Sequence, residues 1–101
     1  MASDPPAVRY VRDALGRCSG EGYALACEAL GAADLRALAP KIAAPTLVFC
    51  GKQELPPFQE AAAWLAQNIR GARSAWLEPA RHCSILEQPE AFGRALAAFL
   101  A

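Results

Sequence analysis

The sequence has no excess of charge of either sign, since ten Lys and Arg residues balance ten Asp and Glu residues. Proteins that bind nucleic acid or an anionic membrane usually carry a basic surface, so this balance disfavours both kinds of partner. Unbroken apolar runs reach only about eight residues, whereas a membrane-spanning helix needs roughly 18. The first eight residues contain one aspartate and two prolines where a secretory signal has basic and then apolar residues. These absences predict a cytoplasmic protein with no nucleic acid and no membrane as partner.

The cysteines have no spacing typical of a disulfide framework or of a metal site. They lie at positions 18, 27, 50 and 83, and no two of them form a Cys-x-x-Cys pair. Structural zinc sites are commonly built on such pairs, and disulfides are rare in the cytosol. A zinc site formed by these cysteines and the single histidine, His82, is the alternative that the spacing disfavours. We therefore expect free thiols, no metal and no cofactor.

The chain is long enough for one modest domain and too short for two. For 10.7 kDa, surface scaling gives roughly 5,500 Å² in the folded state and roughly 15,500 Å² in the unfolded chain. Hydrophobic residues make up 54% of the sequence, which is enough to build one core.

The first third of the chain has a helical pattern and no strand pattern. The spacing of its apolar residues predicts a helix over 5–18 and a second helix that begins after Gly20 and ends near Gly31. Asp34 is expected to cap a short third turn, which Pro40 stops.

The rest of the chain alternates between strand and helix. Residues 46–50 form an apolar run between a proline and a glycine, which is typical of a strand buried on both faces. The pattern then predicts a helix over 58–69, a second strand over 74–77 and a last helix that begins at Pro89. Strands joined by a helix pair in parallel. A parallel pair normally has further strands at its edges, so two strands alone predict that the chain is part of a larger α/β domain.

A polar loop follows each predicted strand, with Glu54 in the first loop and His82 in the second. The carboxyl ends of parallel strands meet at one edge of a sheet, and neighbouring strands lie only ~5 Å apart. We therefore expect these two side chains to approach each other. A carboxylate beside an imidazole fixes the tautomer of the ring and stabilises the imidazolium, as in a nucleophile–histidine–acid triad. On spacing alone, a structural role for the histidine is an equal alternative.

Several segments together resemble a known family. They are residues 22–36 with Gly-Tyr-Ala, Glu-Ala-Leu and Asp-Leu-Arg, residues 44–48 with Ala-Pro-Thr-Leu-Val, and His82 followed by Glu-Gln-Pro-Glu-Ala-Phe at 87–92. On these residues, the sequence resembles the C-terminal portion of the α/β-hydrolase fold, and within that superfamily the 3-oxoadipate enol-lactonases of aromatic-compound degradation. The resemblance covers about residues 8–100.

The resemblance implies a role for each part of the chain. Residues 1–40 would be a helical lid-like segment, and residues 41–101 the C-terminal strand–helix–strand–helix part of the hydrolase core. His82 matches the general base. Glu54 stands where the family usually has the triad aspartate, on a loop about two residues shorter than usual. The implied substrate of the complete enzyme is a small lactone or carboxylic ester, with no cofactor.

The triad nucleophile is absent from this sequence. In the superfamily it is the serine of Gly-x-Ser-x-Gly, which precedes the acid and the histidine. The serines here are at positions 3, 19, 74 and 84, and none has glycines at those flanking positions. Cys83 is an alternative nucleophile, although a small buried cysteine is the favoured interpretation.

Because the serine nucleophile is missing, we expect the chain to be a fragment that is inactive alone. Its expected partner is the N-terminal half of the fold or a second copy of itself. The alternative function is a non-catalytic remnant or a protein-interaction module.

Overall fold

The structure, a computed structural model, describes residues 5–101. This part of the chain contains five α-helices, one 3₁₀ helix and two β-strands. In chain order they are α1 (Pro5–Gly16), α2 (Gly20–Ala32), the 3₁₀ helix (Arg36–Lys41), β1 (Leu47–Gly51), α3 (Pro56–Asn68), β2 (Arg73–Leu77), α4 (Ser84–Glu87) and α5 (Pro89–Leu100). The predicted α/β class and the order of the main elements are confirmed.

Local residue chemistry explains several of the helix boundaries. The Ser19 hydroxyl accepts a hydrogen bond from the Gly22 N–H at 3.1 Å and so caps the start of α2. Prolines begin α3 and α5, where the missing N–H costs no helical hydrogen bond. After α3, Gly71 has a φ of +71°, a left-handed conformation that favours glycine and turns the chain toward β2.

The segment around Pro40 differs from the sequence prediction. Asp34 Oδ1 accepts a hydrogen bond from the Arg36 N–H at 3.2 Å, but the N-cap residue is Leu35, which has no side-chain cap bond. The turn is a 3₁₀ helix, however, and it continues through Pro40 to Lys41. A short 3₁₀ helix tolerates a proline because it loses only one i→i+3 bond there. The short helix α4 was not predicted, because four residues carry no detectable periodicity.

The two strands pair in parallel, with Leu47 opposite Arg73 and Gly51 opposite Leu77. Helix α3 crosses from β1 to β2 and packs against them. On α5, the Phe92 ring meets Phe49 of β1 edge-on, with ring centroids 4.8 Å apart. Because both strands end at the same level, the loops that follow them leave the sheet side by side.

The expectation that β1 is buried on both faces is wrong for this chain. Residues 47–50 are half-buried, and Gly51 is the buried member of the strand. The elements that pack on the two-stranded sheet are α3 and α5, and they leave part of the pair accessible. The buried apolar residues are mostly small, namely Ala7, Ala39, Ala62, Ile69, Leu77 and Ala80.

The chain exposes more surface than a compact chain of its mass, including several large apolar side chains. Its accessible surface is 7541 Å², against the roughly 5,500 Å² that scaling predicts for a compact chain of this mass. Helix α2 has no buried residue, and its Tyr23, Leu25 and Leu30 are 59%, 58% and 77% exposed. Within residues 5–101, no helix is long and apolar enough to cross a membrane.

We expect the isolated chain to self-associate, because contiguous apolar surface and open strand edges recruit other chains. Sedimentation velocity over a concentration series should show species larger than the monomer, and a hydrophobic dye should bind. A monodisperse monomer with a sharp cooperative melt and no dye binding would contradict this expectation.

Candidate functional site

The loop after β1, residues 52–55, is held by hydrogen bonds along its whole length. Its first N–H, of Lys52, donates to the Leu77 carbonyl of β2 at 2.8 Å. The Gln59 side chain, from the first turns of α3, donates to the carbonyls of both Lys52 and Glu54 at 2.8 Å. These contacts fix the backbone on both sides of Glu54. We call residues 52–55 the acid loop, after this glutamate.

The loop after β2, residues 78–83, is held from two directions, and we call it the histidine loop. Gln88 donates from its side chain to the Pro79 carbonyl at 3.0 Å, and Glu87 accepts from the Arg81 N–H at 2.9 Å. From the other side, Gln53 of the acid loop contacts Ala80. The histidine loop is therefore tied to the acid loop on one side and to the junction of α4 and α5 on the other.

Glycine at position 51 allows the two loops to approach closely. A Cβ atom built on Gly51 would lie 2.3 Å from the Arg81 carbonyl oxygen and 2.4 Å from that of Ala80. Side chains never approach backbone oxygens so closely, so any other residue here would force the histidine loop away from β1. The close packing depends on the absence of a side chain.

Glu54 and His82 form a hydrogen bond at the carboxyl ends of the two strands. Glu54 Oε2 and His82 Nδ1 are 2.6 Å apart, and Glu54 Oε1 accepts from the Leu55 N–H at 2.8 Å. The Glu54 side chain is 6% exposed, whereas the His82 side chain is 69% exposed. The Phe58 ring lies 4.8 Å from the imidazole, between centroids. The approach of the two side chains that strand spacing predicted is confirmed.

The arrangement assigns a tautomer to the imidazole. A carboxylate only accepts hydrogen bonds, so Nδ1 carries the proton that it shares with Glu54. In the neutral ring, Nε2 then has the free lone pair. This is the protonation pattern that a histidine needs to act as a general base.

The Glu54 carboxyl is held in its ionised form. The hydrogen bond from the Leu55 N–H lowers its pKa below the ordinary glutamate value, burial of the side chain opposes this shift, and His82 lowers the pKa further. An ionised carboxylate is the form that can orient an imidazole.

The lowered pKa of Glu54 predicts a pH-dependent contribution to stability. A group whose pKa is lower in the folded chain stabilises the fold above its unfolded-state pKa, about 4.3 for glutamate, and loses that contribution as the pH falls through the folded-state value. We therefore expect the urea concentration at the unfolding midpoint, measured at pH 6 and micromolar protein concentration, to be higher for wild type than for Glu54→Gln. The difference should shrink as the pH falls below about 4.3. A difference that stays constant down to pH 3 would show that the charge of Glu54 does not stabilise the fold.

His82 opens onto a cleft of about 340 Å³, lined by Phe49, His82, Cys83, Ser84, Ile85 and Leu86. Apart from the histidine and the Ser84 hydroxyl, its lining side chains are apolar, as is typical of small-molecule clefts. Cys83 is half-buried, and in the described chain no hydrogen bond joins its thiol to His82. The thiol-nucleophile alternative therefore gains no support from the geometry.

The four cysteines are free thiols. Burial, assisted by the nearby Glu54 charge, raises the pKa of the Cys50 thiol, so this sulfur stays protonated. Within residues 5–101, no group of three or more His, Cys, Asp or Glu side chains could hold a metal ion.

Sequence reasoning missed the residues that hold the two loops together. The sequence pattern indicates no positioning role for Gln53, Gln59, Glu87 or Gln88, although all four side chains bond to loop backbone. The available signal was the presence of glutamine and glutamate residues close to each loop. Polar side chains are common at such positions, however, and nothing in a linear sequence distinguishes a loop-holding amide from a solvated one.

Comparison with known proteins shows a similarity that covers almost the whole chain. No family model matches the sequence. The chain is 36% identical over 100 residues to 3-oxoadipate enol-lactonase 2 of Acinetobacter baylyi, and the match covers 99% of this chain and 37% of that protein. The crystal structure of the enol-lactonase from Burkholderia xenovorans LB400 superposes with a TM-score of 0.89 at 40% identity, over 99% of this chain and 38% of that one. The chain thus has the architecture of a portion of the α/β-hydrolase fold, and it is a homologue of 3-oxoadipate enol-lactonases that spans little more than a third of their length.

Proposed function

We propose that this chain supplies the acid and the general base of a lactone or carboxylic-ester hydrolase. In this proposal it corresponds to the C-terminal part of a 3-oxoadipate enol-lactonase, Glu54 is the triad acid and His82 is the base. The observation that carries the proposal is the 2.6 Å hydrogen bond between Glu54 Oε2 and His82 Nδ1. It leaves Nε2 free on a mostly exposed ring beside a cleft of about 340 Å³.

The proposed reaction needs a serine and an oxyanion hole from a second segment, because no serine here lies in Gly-x-Ser-x-Gly. His82 Nε2 takes the proton of that serine as its oxygen bonds to the carbonyl carbon of the lactone. When the ring C–O bond breaks, His82 returns the proton to the leaving oxygen. In the second half, His82 takes a proton from water, which hydrolyses the acyl-serine, and then returns it to the serine. Glu54 accepts the Nδ1–H throughout and stabilises the imidazolium.

The proposal gives the remaining parts of the chain a place. Residues 1–40 are the lid-like segment of the hydrolase, and the exposed apolar residues of α2 are suited to contact the apolar part of a substrate. The second segment is the N-terminal half of the fold, and it buries the open side of the strand pair. The thiols of the four cysteines fit a reducing cytoplasm.

Complementation tests the proposal. The chain is co-expressed with the segment of the Burkholderia xenovorans enol-lactonase that lies outside the matched region, and hydrolysis of an enol-lactone is measured. We expect turnover by the complex and background rates for either segment alone. A stable complex without turnover would refute the catalytic proposal.

The second candidate is a non-catalytic module that binds a partner or a second copy of itself. The large exposed apolar surface favours it, because such surfaces mark interaction sites. Recovery of a stable complex in which His82 and Glu54 can both be replaced without consequence would support this alternative.

A further inference from the structure

We propose that Gln53 is a positioning residue that sets the Glu54–His82 hydrogen bond by holding the backbone of Ala80. The inference deepens the proposed function and rests on it, because the pair that Gln53 positions is the proposed acid and base. No other side chain in the described chain links the acid loop to the backbone of the histidine loop.

Gln53 and Ala80 are joined by two hydrogen bonds. The Gln53 N–H donates to the Ala80 carbonyl at 2.8 Å, and the Gln53 side-chain Oε1 accepts from the Ala80 N–H at 2.8 Å. Gln53 directly precedes Glu54, and Ala80 lies two residues before His82. The double contact therefore joins the loops immediately next to the two side chains that must meet.

Ala80 is the most deeply buried of the core residues, with 2% of its surface exposed. Both of its backbone polar groups are satisfied by Gln53. Removal of Oε1 would leave the N–H of this buried residue without its protein partner, which is costly. The histidine loop would then have to shift to expose that N–H.

The imidazole would follow such a shift because little else holds it. The His82 side chain is 69% exposed, and its ring contacts are Glu54 and Phe58. Glu54, in contrast, is fixed by the Leu55 N–H and by Gln59, which holds its backbone. A displaced histidine loop thus moves His82 away from a stationary carboxylate.

The chain offers a matched control one residue away. Lys52 also bridges the two loops, through a 3.2 Å ion pair with Glu78, but the two side chains are 51% and 57% exposed. Exposed ion pairs contribute little to stability. Lys52→Ala therefore removes a contact between the loops without freeing any buried backbone group.

The single histidine of this chain makes its reactivity directly measurable. Diethyl pyrocarbonate acylates a free imidazole nitrogen, and mass spectrometry of the His82 peptide gives the rate at micromolar protein concentration. Loss of the charge-assisted hydrogen bond in Glu54→Gln should slow this reaction by about tenfold. That variant provides the reference rate for a histidine without a carboxylate partner.

We expect Gln53→Met, which keeps the side-chain length but lacks the oxygen acceptor, to react at the Glu54→Gln rate. Gln53→Glu retains an oxygen that can accept from Ala80, so it should stay within about twofold of wild type, as should Lys52→Ala. A folded Gln53→Met that reacts at the wild-type rate would overturn the proposal. A purely structural role would lower the stability of Gln53→Met without changing its rate relative to Gln53→Glu.

A measurement on the wild type keeps the test decisive if Gln53→Met does not fold. Amide exchange of Ala80 and the acylation rate of His82 are followed through increasing urea. The rate should fall to the Glu54→Gln value at the same urea concentration at which Ala80 loses protection. Loss of protection at Ala80 with an unchanged rate would overturn the inference. Neither readout requires hydrolysis, so failure of complementation would not affect the result.

Discussion

Replacement of His82 by alanine is expected to abolish hydrolysis by the complemented enzyme, with a loss of about 10⁶-fold in turnover, whereas Glu54→Ala should cost about 10⁴-fold. The histidine moves a proton in both half-reactions, so no step proceeds efficiently without it. The carboxylate orients and stabilises the ring but takes no proton itself. The difference in turnover between the two variants therefore distinguishes the residue that transfers the proton from the one that orients it.

The measurement is the turnover of an enol-lactone by the purified complex of the two segments. Glu60→Ala is the matched control, because Glu60 is an exposed glutamate on α3 and its loss should leave turnover unchanged. Equal turnover of wild type and His82→Ala would show that the chain supplies no catalytic base. A loss in Glu54→Ala as large as that in His82→Ala would indicate that the carboxylate does more than orient the ring.

Gly51→Ala is expected to destabilise the chain by at least about 1–3 kcal/mol, the usual cost of forcing extra atoms into a closely packed site. The added Cβ would lie 2.3 Å from the Arg81 carbonyl and 2.4 Å from that of Ala80, and backbone atoms cannot turn aside as a flexible side chain can. The histidine loop must move, so the Glu54–His82 hydrogen bond should be lost together with the stability.

Gly93→Ala makes the same chemical change, but it is expected to stabilise the chain. A Cβ at Gly93 meets no atom within 4 Å, and the residue lies inside α5, where alanine is favoured over glycine by about 0.5–1 kcal/mol. In urea unfolding, the free energy of unfolding should therefore be higher for Gly93→Ala than for wild type and lower for Gly51→Ala. Unchanged stability and unchanged His82 reactivity in Gly51→Ala would mean that the loops do not need their close approach.

The prediction of the strands and helices succeeded where the signal is local. The periodicity of α3, the proline at the start of α5 and the apolar run of β1 each depend on residues close in the sequence. The order of strands and loops was then enough to bring Glu54 and His82 together, because parallel strands end at the same edge of a sheet.

Prediction failed where the outcome depends on what packs against an element. Residues 47–50 have the composition of a doubly buried strand, yet they are half-buried, since composition records what a strand can bury and not what covers it. The 3₁₀ helix through Pro40 and the short α4 were missed for a related reason: hydrogen bonds at a few positions decide them, and these leave no period in the sequence.

The sequence by itself determined the α/β class, the resemblance to enol-lactonases, the acid and histidine candidates and the absence of a Gly-x-Ser-x-Gly serine. Only the tertiary structure decided how that acid and histidine are held. The Gln53–Ala80 contact joins residues 27 positions apart, and the approach at Gly51 depends on the level at which β1 and β2 end. Such contacts follow from strand register and loop path, which are properties of the folded chain that residue spacing does not encode.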